Sequence, residues 1–223
     1  LGFAADALEP KAVEWDEKKH FPVDVLREAA ALGMAGIYVA EDVGGSALSR
    51  LDAVLIFEAL AQGCPTVSAY LSIHNMAASM IDRFGNEEQR QSWLPKLCTM
   101  EYLASYCLTE AGAGSDAAAL KTRAVLDGDH YVVNGQKIWT TNAMHGDKIF
   151  TIVRTEPGSE RHKGLSMMLI DMDQPGVEAR PLKQMSGASE FGEVFFTDAV
   201  VGHDRILGGV DTGWQVAVAT LAY

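Results

Sequence analysis

The sequence predicts an α+β chain of more than one domain: an all-helical N-terminal domain, an antiparallel β-sandwich or barrel domain, then the start of a C-terminal helical domain. Three observations carry that prediction. Apolar residues recur at helical spacing, with the punctuation of helix ends, as far as about residue 105. Beyond it, several short strand-like runs follow one another without intervening helices, which is the pattern of antiparallel sheets. Helical spacing then returns from Thr212. The domains are accordingly expected at residues 1–105, 106–210 and 211–223.

In the first region Pro22 suits the first turn of a helix that carries Val25, Leu26, Ala29 and Ala30 and ends around Gly33. Ser49 followed by Asp52 has the spacing of a capping box, and Gly63 stands where that helix should stop. Within it Leu51, Val54, Leu55, Glu58 and Ala59 predict one largely apolar face, with Glu58 the exception. A further helix is expected over about residues 67–83, before Gly85. Asn86 with Gln89 marks the start of a shorter one, which Pro95 kinks or restarts.

In the second region residues 121–126 and 131–134 read as strands joined by Asp127-Gly128, a dipeptide that favours hairpins. β-rich runs follow at 149–154, 165–171, 177–182 and 193–197, separated by turn clusters such as Glu156-Pro157-Gly158-Ser159 and Gln174-Pro175-Gly176. Trp214, Val216, Val218, Leu221 and Ala222 give the last helix. Its arrival at Tyr223 without Gly, Pro or a basic terminus reads as an interruption, and Leu1 in place of Met suggests that natural residues precede it.

Composition narrows the function. At 223 residues, 48% hydrophobic and 22% charged, the chain can bury a sizeable core. A net charge of -12 opposes encounter with nucleic acid or an anionic membrane, so neither is expected as a partner. Cys64, Cys98 and Cys107 have no paired or metal-ligand spacing; each reads as a small buried hydrophobe in a reducing compartment, and no metal site is expected. No stretch approaches the roughly 20 apolar residues of a membrane span.

Gly112-Ala113-Gly114-Ser115-Asp116-Ala117 fits the G-x-G-x-x-A form of the dinucleotide fingerprint, with residues 104–108 as the strand before it. A crossover helix should follow, yet only Ala117-Ala118-Ala119-Leu120 stands before strand signals resume at Lys121. A nicotinamide-binding fold is therefore not expected. The glycines can mark a plain tight turn, or let loop backbone approach a pyrophosphate or ring closely. Thr109, Ser115 and Thr141 add hydroxyls, and Trp139 offers either a stacking face or ordinary core packing.

Taken together, Tyr106-Cys107-Leu108-Thr109-Glu110-Ala111-Gly112-Ala113-Gly114-Ser115-Asp116 and Asn134-Gly135-Gln136-Lys137-Ile138-Trp139-Thr140-Thr141-Asn142 resemble the paired signature of the acyl-CoA dehydrogenase family. The resemblance covers essentially the whole chain. The first half is similar to the isobutyryl-CoA dehydrogenase branch through Glu14-Trp15-Asp16, Phe21-Pro22-Val23-Asp24-Val25, Asp42-Val43-Gly44-Gly45-Ser46 and Ser72-Ile73-His74-Asn75-Met76. The second half departs from that branch at Trp139-Thr140-Thr141-Asn142 and at Ser189-Glu190-Phe191-Gly192-Glu193-Val194-Phe195-Phe196, and Ala111 replaces the family's usual proline.

The resemblance implies FAD as cofactor and an acyl-CoA substrate of short or branched chain, oxidised to the 2-enoyl-CoA by α-proton abstraction and β-hydride transfer. It implies that Tyr106, Leu108, Thr109, Gly114, Ser115, Trp139 and Thr141 hold FAD, with Ser115 also near the pantetheine, and that Ser68 and Leu71 line the acyl pocket. It places the catalytic base outside this chain, so no catalytic residue is assigned, and Glu110 and Glu193 read as structural or surface acids. An electron-transfer flavoprotein as acceptor, a homo-oligomer, usually a tetramer, and a cytoplasmic location in bacteria or the mitochondrial matrix in eukaryotes are implied likewise. A non-catalytic flavin- or partner-binding chain, an acyl-CoA oxidase and a flavin monooxygenase of the same fold are the alternatives.

Overall fold

The structure is a computed structural model that describes residues 1–221; Ala222 and Tyr223, to which the last expected helix extended, lie outside the described residues. The chain divides into two units, one of Leu1–Asp82 with Arg90–Tyr102, the other of Arg83–Gln89 with the chain from Leu103 onward.

The first unit is helical. A π-helical turn at Ala4–Leu8 runs into α1 (Glu9–Lys18), which the spacing of apolar residues does not mark because Trp15 is its only buried residue. α2 (Val23–Ala31) follows Pro22 and buries Val25, Leu26, Ala29 and Ala30, as the periodicity requires. α3 (Arg50–Gly63) opens on a complete capping box: Ser49 Oγ accepts from Asp52 N, and Ser49 N donates to the Asp52 carboxylate at 3.0 Å. Its buried side corrects the sequence reading. Leu51, 69% exposed, Val54 and Leu55 face outward, and the helix packs through Ala53, Leu60 and Gly63. The helix is apolar on more than one side, so its spacing does not select between faces.

α4 (Pro65–Phe84) and α5 (Glu87–Cys98) complete the helices before the sheet. At the head of α5, Asn86 N donates to Gln89 Oε1 and Gln89 N to Asn86 Oδ1, a reciprocal cap. Pro95 does not restart α5; it sits inside one continuous run, near enough to the C-terminal end that little of the helix follows it. Cys98 is buried, which pushes its thiol up to about 11, as expected of an inert cysteine.

The second unit is built on eight strands, β1 (Ala104–Cys107), β2 (Arg123–Asp127), β3 (His130–Thr141), β4 (Lys148–Arg154), β5 (Leu165–Asp171), β6 (Val177–Leu182), β7 (Phe191–Gly202) and β8 (Ile206–Leu207), followed by α6 (Gly213–Leu221). They join in one sheet of order β6-β7-β3-β2-β4-β5-β8, with β1 beside β4. Pairing is antiparallel except between β1 and β4 and at the single Arg123–Arg154 bridge of β2 with β4. Val133, Val194, Phe196 and Ala199 from one part of the sheet share a core with Ile149, Val153, Met168 and Ile170 from the other, so the sheet wraps its own interior. Only the short 3₁₀ turn Ala117–Ala119 follows the glycine motif, in keeping with the absence of a crossover helix.

The β2–β3 hairpin turns on Gly128-Asp129 rather than Asp127-Gly128, with Asp127 opposite His130 and Gly128 at φ 63. β3 and β7 outrun their expected lengths. β3 absorbs two irregularities, at Val133/Gly135 and Lys137/Thr140, which break the alternation a reader of sequence relies on. Among the described residues no helix is long and apolar enough to cross a membrane.

Candidate functional site

The second unit brings the two motifs together side by side. Ser105 Oγ donates to the Thr141 carbonyl at 2.8 Å, Cys107 Sγ lies 3.1 Å from Thr140 Oγ1, and Ile138 N donates to the Thr109 carbonyl at 2.9 Å. β1 and the loop after it therefore run along the far end of β3. Cys107 is fully buried, which pushes its thiol up to about 11 against the opposing hydrogen bond to Thr140.

Where the two segments meet, several polar side chains are left without a partner. No group among the described residues takes the hydroxyls of Thr109, Ser115 or Thr141, and the buried Tyr106 Oη has no partner, its phenol raised by burial. Trp139, 50% exposed, adopts φ 62, a left-handed conformation that bulky residues avoid, and meets Phe191 edge-on at 5.7 Å. This strained residue sits in the Lys137/Thr140 irregularity of β3 and leaves half of its surface exposed.

Gly112 lies in the tight turn that Glu110 and Ala113 close with backbone hydrogen bonds of 3.1 and 3.0 Å, and Gly114 lies just beyond it, yet neither position requires glycine. Neither Gly112 nor Gly114 has positive φ, and a Cβ built on either meets nothing within 4 Å. The fold itself does not need glycine there; the space beside the loop is open for something else to approach. Gly135 is the opposite case. At φ 153 its absent Cβ would lie 2.7 Å from Thr122 Cα, so the close approach of β3 to residue 122 requires it.

Beneath the loop lies a charge pair that sequence reasoning did not assemble. Lys137, with 0% of its side chain exposed, reaches Glu110 Oε1 at 2.9 Å and donates to the Leu108 carbonyl at 3.1 Å. The Glu110 carboxylate also accepts from Lys121 N at 2.7 Å and Thr122 N at 2.9 Å. Burial alone would raise the Glu110 carboxyl; the Lys137 ammonium and the donors at Thr122 and Lys121 outweigh it and hold the group below its ordinary value. A lone lysine inside Gln136-Lys137-Ile138-Trp139 was the signal available. Glu193 is likewise engaged, accepting from Gln136 Nε2 at 2.8 Å. Neither acid stands free as a base.

In the helical unit, Ser68 and Leu71 lie in the interior. Ser68 is 6% exposed and donates its hydroxyl to the Phe57 carbonyl at 2.9 Å, and Leu71 is fully buried. Ala69 on the same helix is exposed, and Ser72 and Ile73 are half-buried. His74 is buried as packed helix, its Nε2 2.9 Å from the Leu97 carbonyl. A cavity of about 400 Å³ in the second unit is lined by Phe84, Gln89, His203, Asp204, Gly208 and Val210 and contains none of the motif residues. Gln89 spends its side-chain amide there on the Asp204 and Ile206 carbonyls, which makes it part of the scaffold.

A flat, phosphate-bearing cofactor fits the motif residues: unengaged hydroxyls, a half-exposed indole and open space at two glycines lie on two adjoining segments of the sheet unit. Comparison with known proteins agrees. Residues 2–101 match the acyl-CoA dehydrogenase N-terminal domain and residues 105–199 the acyl-CoA dehydrogenase middle domain. The mitochondrial isobutyryl-CoA dehydrogenase of Dictyostelium discoideum is 45% identical over 224 residues, 99% of this chain and 53% of that protein, so the chain spans about half the length of the curated relatives it matches. Among solved structures, acyl-CoA dehydrogenase from Geobacillus kaustophilus has a TM-score of 0.91 at 32% identity, over 99% of this chain and 59% of that one. The FAD complex of PigA has a TM-score of 0.92 at 28% identity, over 99% of this chain and 59% of that one.

Proposed function

Since the chain belongs to the acyl-CoA dehydrogenase family, we propose that it forms the N-terminal and middle parts of a flavoenzyme that oxidises a short or branched-chain acyl-CoA to the 2-enoyl-CoA. The observation that carries this reading is the set of unengaged groups on two adjoining segments: the hydroxyls of Thr109, Ser115 and Thr141, and Tyr106 Oη.

On this proposal Thr109, Thr141 and the backbone at Leu108 hydrogen-bond the edge of the FAD ring system, Trp139 packs on its face and Tyr106 lies beside it. Gly114 lets the loop approach the pyrophosphate or ribityl region, where Ser115 donates, and Ser115 also serves the pantetheine of the substrate. FAD, when bound, supplies the acceptor for two electrons, chemistry that side chains lack. The part of this chain is to orient that group and exclude water from its face. Ser68 and Leu71 set the wall behind the acyl chain from the interior of the helical unit, through exposed Ala69 and half-buried Ser72. Glu110 and Glu193, both engaged, leave the α-proton to a carboxylate outside residues 1–221.

The same reading extends to an electron-transfer flavoprotein as acceptor, a tetrameric assembly, the domain limits 1–105, 106–210 and 211–223, and a cytoplasmic or mitochondrial-matrix location. Family membership supports each of these. Reconstituting the full chain with FAD and titrating it anaerobically with isobutyryl-CoA, 2-methylbutyryl-CoA and straight-chain acyl-CoAs tests the proposal. A flavin spectrum bleached by a branched or short acyl-CoA is the expected result. Bound flavin that no acyl-CoA bleaches overturns the dehydrogenase reading, and no uptake of FAD overturns cofactor binding by this chain.

A further inference from the structure

The glycine-bearing loop between β1 and β2 is long and exposed along much of its length, with Ala111, Gly112, Gly114, Ser115 and Asp116 all outward. Loops of that kind sample many conformations unless their ends are fixed. Here the neck is fixed by one carboxylate. Glu110, at the start of the loop, accepts from the amides of Lys121 and Thr122 at its end, and a tight turn closes inside it where Glu110 and Ala113 exchange backbone hydrogen bonds of 3.1 and 3.0 Å. Lys137 then ties that neck to β3 and, through the Leu108 carbonyl, to the segment just before it. Ile138 N holds the Thr109 carbonyl beside it.

A buried ion pair is a costly way to join two strands, since apolar residues of the same volume do so without desolvating charge. What the pair adds is direction: besides the contact between the two side chains, three hydrogen bonds converge on it, and each fixes a backbone group at the neck of the loop or just ahead of it. Thr109 beside this neck and Ser115 further along the loop keep unengaged hydroxyls.

We propose that Glu110 and Lys137 are positioning residues, a buried clasp that pre-forms the cofactor loop of residues 108–122 before FAD arrives. The assignment of that loop to FAD rests on the function proposed above; the clasp itself does not. Without it, the loop is competent to bind only part of the time, and affinity for FAD falls by that fraction.

The test compares the full chain with Glu110→Gln and with the double variant Glu110→Gln/Lys137→Met, which removes both charges together and leaves none stranded. Hydrogen exchange is measured without FAD, and FAD affinity by fluorescence titration. Expected are faster exchange confined to residues 108–122 and a dissociation constant for FAD raised about ten-fold in the double variant. Unchanged protection of residues 108–122 overturns the clasp whether or not FAD binds. A loss of protection spread evenly over the sheet overturns it as well, since that is the mark of a merely stabilising pair. If the wild-type chain takes up no FAD, the proposed function fails while the exchange result still decides the clasp.

Discussion

His74 Nε2 lies 2.9 Å from the Leu97 carbonyl oxygen in the interior of the helical unit, with the imidazole fully buried. A carbonyl only accepts, so Nε2 carries a proton, and it is burial that holds the ring in its neutral form. Burial pushes its pKa down from 6.5 to about 4, against the smaller opposing effect of the Leu97 bond. In the unfolded chain the ring takes a proton at the ordinary value. Its contribution is therefore complete above pH 6.5 and is lost progressively as the pH falls toward 4. Urea titrations across that window should show a loss approaching about 3 kcal/mol, and the slope should flatten in His74→Gln. Equal pH dependence in the two proteins would sink the prediction.

Asn75 is fully buried and saturated: Oδ1 accepts from Ile37 N at 2.7 Å, and Nδ2 donates to the Met34 carbonyl at 2.8 Å and the Leu71 carbonyl at 2.9 Å. It thereby fastens the irregular stretch after α2 to α4. Asn75→Ala strands an interior amide and carbonyl, and chemical denaturation should register a loss of about 3 kcal/mol. A change within experimental error would show that water replaces the side chain.

Gly135 and Gly114 are predicted to part company. Gly135→Ala drives a Cβ into Thr122 at a φ that alanine avoids, and should cost about 2 kcal/mol or more in equilibrium unfolding. Gly114→Ala meets nothing and should leave stability unchanged or raise it by about 0.5 kcal/mol. Its cost should appear instead in FAD affinity. Reversal of this order would contradict the reading of the open glycine.

Trp139→Gly relieves a left-handed φ at a half-exposed position. Thermal unfolding of the apoprotein should shift by no more than about 1 kcal/mol, the relief offsetting the lost contact with Phe191. FAD binding should weaken clearly, and Trp139→Phe should recover part of it. Unaltered affinity in the glycine variant would reassign the indole to surface packing.

The sequence made the helix ends legible because caps are local. Ser49 with Asp52 and Asn86 with Gln89 need only three residues to declare themselves, and both formed as read. Buried faces were legible where one side alone was apolar, as in α2, and not in α3, where exposed Leu51, Val54 and Leu55 carry the same spacing as a core stripe. Strand length failed where bulges interrupt alternation, as between Lys137 and Thr140. In the candidate site, residue types and order pointed to both segments. Their adjacency, and the Glu110–Lys137 pair across 27 positions, depend on the path of the sheet and leave no local trace.

The short stretch Arg83–Gln89 belongs with the sheet unit although helices of the other unit precede and follow it. Its anchors are late ones: Gln89 Nε2 waits for the carbonyls of Asp204 and Ile206, which lie 115 and 117 positions further on, and the Phe84 carbonyl for Gly208 N. On the ribosome, this stretch emerges long before those partners in the sheet unit exist. Neither unit is a continuous piece of sequence: a cut near residue 102 keeps the helical unit together but strips Arg83–Gln89 from the sheet unit, which can finish assembling only when translation has passed residue 208.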